Sequence, residues 1–398
     1  FMYQMVYIVI VLFQNESHKL KSGDPFDPSI KKNKFAVLIS GRNEQAVIGE
    51  LVKSIKNQNY PKEIIDVYVI ADNCTDDTAK VAKEAGAIVF ERFDQQLKGK
   101  SHALNYAIKR IIKERGGSNK RTDYAGYFVF DADNVIDANF VAEMNRKFEK
   151  GYMVLTSYRN SKNFDTNWIS AGSALWFMRE GKYLSNARAI VDTSCAISGT
   201  GFLISSNILE KNECWIHHLL TEDIEFSIDC ISNGIKIGYC EKAIVFDEQP
   251  TDMKHSWRQR LRWARGFYQV LIQYGKHLLN GMFKKEESKW SSYDMSMIIA
   301  PGMLIVLLSF ILNLSFCIIG IVQLTMMAGS VIGIAISSMG SAMASADSNI
   351  FVSLFALISG SAFNGDALSA MTNSNAAVFA SYAQARATVI TSLLALAG

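Results

Sequence analysis

Charged side chains are missing from one long stretch near the C-terminal end of the chain. Residues 295–346 contain no Asp, Glu, Lys or Arg. A water-soluble domain cannot bury so long an apolar stretch, whereas a helix needs only about 20 apolar residues to cross a bilayer. After Lys289 the only charged residues are Asp294, Asp347, Asp366 and Arg386. The charge distribution therefore predicts a soluble domain joined to a membrane region.

The six cysteines lack the spacing of a metal site, because no two of them form a Cys-x-x-Cys pair. Their scatter along the chain also differs from the regular framework of a small disulfide-rich protein. We therefore expect neither structural zinc nor disulfide bonds, and we expect reduced thiols in a cytosolic domain.

The N-terminal apolar run, residues 1–13, has neither the basic start nor the small-residue cleavage site of a signal peptide. It is too short to span a bilayer alone, and we interpret residues 1–14 as the remnant of an N-terminal transmembrane helix. By the positive-inside rule, the lysines that follow predict that the next segment lies in the cytoplasm. These are Lys19, Lys21, Lys31, Lys32 and Lys34.

From residue 35 onwards, short apolar runs alternate with amphipathic segments, a pattern that is typical of βαβ units around a mostly parallel sheet. The predicted strands are residues 35–39, 67–71, 87–91 and 127–130, and the predicted helices are residues 45–58, 76–85 and 101–114. We therefore predict an α/β domain over residues 35–253. In such sheets, ligands bind beyond the carboxyl ends of the strands.

Residues 254–285 contain eight Lys or Arg and no Asp or Glu, with aromatic residues and leucines interleaved. This pattern is typical of a helix that lies on a membrane surface or faces phosphates, and a solvated charged face is the alternative. We assign residues 254–290 to such interfacial helices. Nucleic-acid binding is not expected, because the basic stretch leads directly into the membrane region.

The membrane region is predicted over residues 297–398, with two to four helices. Residues 298–322, which include Pro301, form the clearest span. A second span is expected within residues 328–346, and further candidates are residues 350–365 and 376–397.

Asp131 and Asp133 directly follow the predicted strand 127–130. Two carboxylates two residues apart at a strand end can both approach one divalent cation and a diphosphate. Magnesium and manganese prefer such oxygen ligands and often share them with phosphate oxygens. An Asp-x-Asp triplet is common by chance, and its position after a buried strand is what favours a metal site.

Polar residues also follow two other predicted strands. Arg42 and Glu44 come after the first strand, and Asp72 comes after the second. Either Thr75 or Asp76 is placed to cap the helix at residues 76–85, which leaves Asp72 free to accept hydrogen bonds from a ligand such as a base edge.

Lys98-Gly-Lys100 precedes the helix at residues 101–114. A phosphate at that position would meet both lysine charge and the amides of a helix N-terminus.

Three further segments complete the set of candidate functional residues. Residues 198–201, Ser-Gly-Thr-Gly, form a glycine-rich turn that on its own indicates only a loop. Thr221-Glu-Asp223 opens a helix, where its carboxylates also fit a capping role. Residues 259–263, Gln-Arg-Leu-Arg-Trp, fall within the basic helix.

In this order, the segments resemble the family 2 glycosyltransferases. Within that family the resemblance is to the membrane-bound β-glycosyltransferases, which include the cellulose, chitin, hyaluronan and poly-N-acetylglucosamine synthases. The resemblance covers about residues 35–323. It implies a GT-A (Rossmann-like) fold with flanking transmembrane helices, and a UDP-sugar donor bound with Mg²⁺ or Mn²⁺. It also implies an integral protein of a bacterial plasma membrane whose catalytic domain is cytoplasmic.

The resemblance also implies a role for each motif residue. Asp72 resembles the aspartate that contacts uracil, Asp133 the direct metal ligand, and Asp223 the catalytic base, with Arg262 also catalytic. The residues that correspond to the donor site are Arg42, Glu44, Asp72, Lys100 and Asp131, and Asp131 shares the metal with Asp133. The residues that correspond to the acceptor site are Gly199, Thr200, Gly201, Gln259 and Trp263.

These roles imply an inverting hexosyltransferase that extends a β-linked polysaccharide in contact with membrane lipids. Two features depart from the family pattern: Ser40-Gly41 stands before Arg42, and the last seventy residues lack the family's usual charged loops. One alternative is a non-processive transferase that adds a single sugar to a lipid. Other classes of function are a catalytically silent nucleotide-binding scaffold and a channel or transporter, although the shortage of polar residues within the membrane region argues against the latter.

Overall fold

The computed structural model describes residues 2–19, 24–116, 121–212, 215–284, 286–299 and 301–344. Within these ranges, eight strands form one mixed sheet in the order β3-β2-β1-β4-β7-β6-β8-β5. The strands are β1 Phe35–Gly41, β2 Ile65–Asp72, β3 Ile88–Arg92, β4 Gly126–Asp131, β5 Val135–Ile136, β6 Val154–Ser161, β7 Phe202–Ser205 and β8 Ile237–Asp247.

The half of the sheet formed by β3, β2, β1 and β4 is parallel, as the sequence predicts. Strand β7 departs from this pattern, because it runs antiparallel to both of its neighbours, β4 and β6. Strand β8 then pairs in parallel with β6. The carboxyl ends of β1, β2 and β4 therefore meet at one edge of the sheet.

Three helices make the crossovers between the parallel strands, and each begins and ends within three residues of its predicted ends. They are α2 Ile48–Lys56, α3 Thr78–Glu84 and α4 Lys100–Arg115. The remaining helices are α1 Met2–Lys19, α5 Phe140–Phe148, α6 Trp168–Arg179, α7 Asn186–Ile190, α8 Ser206–Leu209, α9 Glu222–Ser232, α10 Met253–Lys284, α11 Glu286–Ile299 and α12 Pro301–Ala344. A π-helical segment, Glu180–Ser185, connects α6 to α7.

The hydrophobic core lies on both faces of the sheet, because successive residues of a buried strand point to opposite sides. In β1, Val37 and Ile39 pack in the cluster that includes residues of α2 and α5. Ala36 and Leu38 pack in the cluster that includes residues of α4. Burial on both faces explains why β1 reads as a continuous apolar run.

Helix α10 corresponds to the predicted basic helix and packs with one face on the domain. Val270 and Leu278 are buried against Ile228 of α9 and Met295 of α11. Other apolar side chains of α10 are exposed, namely Trp257, Leu261, Ile272, Leu279 and Phe283. The helix is therefore amphipathic, with basic residues interspersed among exposed apolar ones.

Helix α12 contains one segment, Val306–Met326, that is long and apolar enough to cross a membrane. Pro301 is the first residue of α12, a position where the missing backbone donor of proline is tolerated. Residues 328–344 continue this same helix. The second span expected within residues 328–346 stays a prediction, since residues 345 and 346 lie outside the described residues. The candidate spans at residues 350–365 and 376–397 lie outside the described residues.

The N-terminal helix α1 is apolar over Gln4–Phe13, a segment shorter than a full span. Tyr7 and Val11 pack on Leu184 and Ala187. The chain divides into two compact units, Phe1–Leu308 and Ser309–Gly398. The whole sheet and its covering helices belong to the first unit.

Candidate active site

A cavity of about 1120 Å³ opens where the carboxyl ends of β1, β2 and β4 meet. It brings together side chains from almost every motif that the sequence singles out, although these are separated by more than 200 residues along the chain. The predicted site residues that line it are Arg42, Glu44, Asp72, Lys100, Asp131, Asp133, Gly199, Asp223, Gln259, Arg262 and Trp263. Thr200 and Gly201 are not among the lining residues.

Lys100, the first residue of α4, connects two of the motifs. Its Nζ donates to Asp131 Oδ1 at 2.5 Å and to the carbonyl oxygen of Gly199 at 2.6 Å. Burial acts to lower the pKa of Lys100, but the charges of Asp131, Glu222 and Asp223 outweigh it and raise the pKa above its usual value. Lys100 therefore stays cationic at the centre of the cavity.

In the Asp-x-Asp pair, one carboxylate is neutralised by a lysine, and the other lies half-buried near two other carboxylates. Asp131 is paired with Lys100. Burial, together with the nearby charges of Asp247 and Asp131, raises the pKa of Asp133 to about 7. A divalent cation would relieve this accumulation of negative charge, and carboxylate oxygens are ligands that Mg²⁺ and Mn²⁺ accept.

Asp131 and Asp133 fit a cation that shares its coordination with a substrate. Among the described residues, no group of three or more His, Cys, Asp or Glu side chains is arranged to hold a metal ion. Magnesium is often bound by one or two carboxylates, with water and substrate phosphates supplying the other ligands. Two carboxylates are therefore sufficient for that type of site.

Asp72 lines the cavity, but it is not free as the sequence suggests. It is 5 % exposed, and its Oδ1 accepts hydrogen bonds from Arg92 Nη1 at 2.6 Å and from Asn73 Nδ2 at 3.1 Å. Its Oδ2 is 3.4 Å from the backbone nitrogen of Gly99. Asp72 is therefore held at the cavity wall by Arg92, which is itself not among the lining residues.

Residues 199–201 contribute to the site mainly by holding its neighbouring loops in place. Thr200 is fully buried, and its Oγ1 accepts from the backbone nitrogen of Asp131 at 3.0 Å and donates to Asn134 Oδ1. Gly201 has φ +65°, and a Cβ there would lie 2.5 Å from Ser157 Oγ. Thr200 and Gly201 therefore fix the Asp-x-Asp loop and the turn, and the acceptor contacts expected of them stay a prediction.

Glu222 and Asp223 begin α9 at the wall of the cavity. Burial raises the pKa of Glu222 to about 7, because the charge of Asp223 adds to it and Lys100 only partly opposes it. Burial also raises the pKa of Asp223, against backbone amides and the Lys100 charge. A carboxylate with a raised pKa is a stronger base than an ordinary aspartate.

A glycine holds Asp223 close to the turn. Gly199 has φ +83°, and a Cβ at this position would lie 3.4 Å from Asp223 Oδ2. The same residue accepts the Lys100 hydrogen bond through its carbonyl oxygen. The Asp-x-Asp motif, the glycine turn and the first turn of α9 are thus joined at a single position.

Helix α10 approaches Thr221 at a second glycine. A Cβ at Gly266 would lie 2.5 Å from Thr221 Cγ2, so only glycine allows this contact. One turn before Gly266, Arg262 and Trp263 line the cavity, with Gln259 a further turn back. The ring of Trp263 packs edge-to-face on Phe177 of α6, with 5.9 Å between centroids.

Glu44 and Arg42 stand beside the strand-end loop. Burial and the charges of Asp76, Asp131 and Glu248 raise the pKa of Glu44. Arg42 is exposed at the rim of the cavity. Asp76 also accepts from the backbone nitrogen of Thr78 at 3.1 Å, so it satisfies the first amide of α3 as one of the two expected caps.

Arg159 and Asp247 are cavity residues that the sequence reasoning missed. Arg159 Nε donates to Asp247 Oδ2 at 2.9 Å, and its Nη1 donates to the carbonyl oxygen of Ser198 at 2.9 Å. Asn134 Nδ2 donates to Asp247 Oδ1 at 2.8 Å, which links this pair to the Asp-x-Asp loop. Asp247 ends β8 and Arg159 lies near the end of β6, two strands that were not predicted from the sequence.

Comparison with known proteins is consistent with this geometry. A probable glycosyltransferase, YdaM of Bacillus subtilis (strain 168), is 29% identical over 253 residues, covering 61% of this chain and 57% of the relative. A beta-monoglucosyldiacylglycerol synthase of Nostoc sp. is 27% identical over 279 residues, covering 67% of this chain and 56% of the relative. A poly-beta-1,6-N-acetyl-D-glucosamine synthase of Staphylococcus epidermidis is 25% identical over 248 residues, covering 60% and 56%.

The chain spans a little over half the length of these relatives. A family model described as "Glycosyltransferase like family 2" matches residues 32–266. The match begins just before β1 and ends at Gly266 of α10, so it includes every motif that lines the cavity. The chain belongs to this family of glycosyltransferases.

Proposed function

We propose that the protein is an inverting, membrane-associated hexosyltransferase that moves a hexose or N-acetylhexosamine from a UDP-sugar to a growing β-linked polysaccharide. The observation that carries this proposal is the single cavity in which Lys100 bridges Asp131 to the turn beside Asp223. Groups that suit a diphosphate lie on one side of this cavity, and a group that suits proton transfer lies on the other side.

The nucleotide side of the cavity supports binding of UDP. Asp72, which Arg92 holds in place through an ion pair, lines the cavity with a carboxylate that is suited to a base edge. Lys100 and the N-terminus of α4 offer positive charge and backbone amides to phosphate oxygens. Arg42 and Glu44 stand at the rim of the same side.

Asp131 and Asp133 are the residues proposed to hold Mg²⁺ or Mn²⁺ together with the diphosphate. Such a cation, when bound, supplies positive charge that offsets the charge developing on the UDP leaving group. Lys100 and Arg262 contribute positive charge from the protein itself.

Asp223 is proposed to act as the general base. Its carboxylate takes the proton of the acceptor hydroxyl while the acceptor oxygen forms a bond to the anomeric carbon. The bond between that carbon and the UDP oxygen breaks, and UDP leaves with the electron pair. A single displacement from the face opposite UDP inverts the configuration, so an α-linked donor gives a β-linked product. The raised pKa of Asp223 supports this role.

A second candidate function is the addition of one sugar to a lipid acceptor. It is supported by the similarity to the beta-monoglucosyldiacylglycerol synthase of Nostoc sp., which extends over 279 residues. The length of the radiolabelled product on a gel separates the two functions, because a polymerase gives a ladder or a high-molecular-weight smear and a single-addition enzyme gives one lipid-linked spot.

Membrane integration with a cytoplasmic catalytic domain is part of the proposal. It is supported by the apolar segment Val306–Met326 and by the basic, amphipathic helix α10. Protease added outside intact cells is expected to leave residues 35–285 uncut. Cleavage within this range in sealed cells would contradict the proposed orientation.

The direct test of the function is UDP release by the purified protein in detergent, measured against a panel of UDP-sugars with Mg²⁺ or Mn²⁺. Release with one or a few of these donors, abolished by excess chelator, is expected. Full activity in chelator would contradict the metal role. Binding of UDP without release from any donor would instead favour a catalytically silent scaffold.

A further inference from the structure

The π-helical segment Glu180–Ser185 forms part of the cavity wall. Such π turns are rare and occur frequently at functional sites. Gly181 allows this segment to lie against β6, because a Cβ there would be 2.7 Å from the ring of Tyr158. The close approach places Glu180 at the cavity. Glu180 follows shortly after Phe177, whose ring contacts Trp263.

Glu180 is 29% exposed and pairs with the buried arginine of an ion-pair cluster. Its Oε1 accepts from Arg188 Nη1 at 2.9 Å, and Arg188 Nε donates to Asp294 Oδ2 at 2.6 Å. The side chains of Arg188 and Asp294 are 1% and 2% exposed. One buried guanidinium is therefore shared by two carboxylates, and this charge-assisted hydrogen bond fixes the position of Glu180 at the cavity wall.

The second oxygen of Glu180 has no hydrogen bond within the described part of the chain. Arg179 Nη2 lies 3.9 Å from Oε2, which is beyond hydrogen-bonding distance. Thr156 is a second cavity residue with unused hydrogen-bonding capacity, since it is 2% exposed and its Oγ1 has no partner among the described residues. A buried hydroxyl such as that of Thr156 is normally hydrogen-bonded. Together with the partly exposed second oxygen of Glu180 on the same cavity wall, it points to a ligand with hydroxyl groups.

Aromatic side chains line the same cavity as these polar groups. Trp176, Phe177 and Trp263 all line the cavity. A sugar ring presents C–H groups on its faces and hydroxyl groups around its edge, and it is therefore matched by aromatic faces combined with a carboxylate. A lipid alcohol such as diacylglycerol presents one hydroxyl and two acyl chains, which leaves a carboxylate without a partner.

We infer that Glu180, held by Arg188, is a specificity-determining residue that accepts hydrogen bonds from the hydroxyl groups of the acceptor's terminal sugar ring. The acceptor is then a glycan or a glycolipid, not a lipid alcohol without a sugar. The inference rests on the proposed glycosyl transfer. It assigns Glu180 to the acceptor because the adjoining α6 contacts Trp263, whereas the donor side is built by β4 and the N-terminus of α4.

The first test compares two acceptors with the wild-type protein in detergent. The donor is UDP-glucose or UDP-N-acetylglucosamine, whichever the protein turns over, and the acceptor is the corresponding octyl β-glycoside or 1,2-dioctanoylglycerol. Transfer to the octyl glycoside in clear preference to dioctanoylglycerol is expected. Preferential transfer to dioctanoylglycerol would overturn the inference and leave the glycosyltransferase activity in place. Absence of UDP release from every donor would count against the proposed function instead.

The second test uses Glu180→Gln, which keeps the shape of the side chain and removes its charge. The KM for the octyl glycoside is expected to rise by about 10- to 100-fold, the effect of losing a hydrogen bond to a charged group. The KM for the UDP-sugar and the slow release of UDP to water without acceptor are expected to stay within about twofold, a split that a purely structural role would not produce.

Glu114→Gln is the matched control, because Glu114 also pairs with an arginine on a helix but is exposed and lies outside the cavity lining. It is expected to leave both KM values unchanged. An unchanged acceptor KM in Glu180→Gln, or a change in donor KM alone, would overturn the assignment of Glu180 to the acceptor sugar.

Discussion

Lys100 Nζ lies 2.5 Å from Asp131 Oδ1, so the first residue of α4 neutralises the first carboxylate of the Asp-x-Asp pair. The same amine donates to the carbonyl oxygen of Gly199, whose Cα faces Asp223. One cation thus links the proposed diphosphate site to the proposed base. This contact joins residues 31 and 99 positions apart in the sequence.

Replacing Lys100 by Met is expected to weaken UDP binding by about 10- to 100-fold, because a charge-assisted contact to the diphosphate is lost and Asp131 is left without its partner. Titration calorimetry of UDP in the presence of Mg²⁺ measures this change. Lys109→Met is the control, since Lys109 is exposed on the same helix and does not line the cavity. An affinity equal to that of the control variant would rule out a role for Lys100 in binding the nucleotide.

Replacing Arg92 by Met is expected to lower the free energy of unfolding by about 3–5 kcal/mol, because it leaves Asp72 buried and without its ion-pair partner. Both side chains of the pair are 7% exposed. The double variant Arg92→Met/Asp72→Asn is expected to recover most of the loss, since the only charge then left without its partner is that of Asp94, which is 34% exposed. Denaturant titration of the wild type and the two variants tests this, and a single variant as stable as wild type would show that the pair is unimportant for the fold.

Gly266→Ala is expected to reduce turnover without unfolding the protein. The new Cβ would collide with Thr221 and push α10, with Arg262 and Trp263, away from the start of α9. Thr221→Ala in the same chain is expected to restore part of the turnover, because it removes the two nearest atoms. Gly275→Ala is the matched control on α10, where the nearest side-chain atom would be 3.4 Å away. Equal turnover in the two glycine variants would argue against a positional requirement at Gly266.

The raised pKa of Glu222 predicts a pH dependence of stability. Because this pKa is about 7 in the folded protein and ordinarily 4.5, the folded state binds more protons between these limits. The free energy of unfolding contributed by this group therefore falls as pH rises from about 4.5 to 7. Glu222→Gln is expected to lose this part of the slope, about 2–3 kcal/mol between pH 5 and 8. Parallel slopes for the variant and the wild type in denaturant titrations across this range would contradict the prediction.

The parallel half of the fold could be predicted from the sequence because its information is local. Strands β1, β2 and β4 are short apolar runs that end in polar residues, and the rule that ligands bind beyond strand ends leads to Asp72 and Asp131. Arg92 was missed although it lies next to Asp72 in register, because the predicted third strand stops at residue 91. If the predicted third strand had ended one residue later, the strand-end rule would have selected Arg92 together with Asp72.

The second half of the site depends on pairing that the local pattern does not contain. Arg159 and Asp247 meet because β6 and β8 are parallel neighbours in the sheet. Strand β7 lies between them in the sequence, but in the sheet it pairs with the other side of β6. The contact joins residues 88 positions apart. Glu180 was missed for a related reason, since its importance comes from the buried Arg188 and Asp294 and not from any motif around it.

The most direct test of the account is a single variant, Asp223→Asn, measured for UDP-sugar affinity, melting temperature and turnover. The substitution keeps size and hydrogen-bonding capacity and removes the basic carboxylate. If Asp223 is the base, affinity and melting temperature stay near wild type while turnover falls by roughly 10²–10⁴-fold. If Asp223 only caps α9, stability falls by about 1 kcal/mol while sugar transfer continues at a near-normal rate. The second result would contradict the central claim and make Glu222 the next candidate for the base.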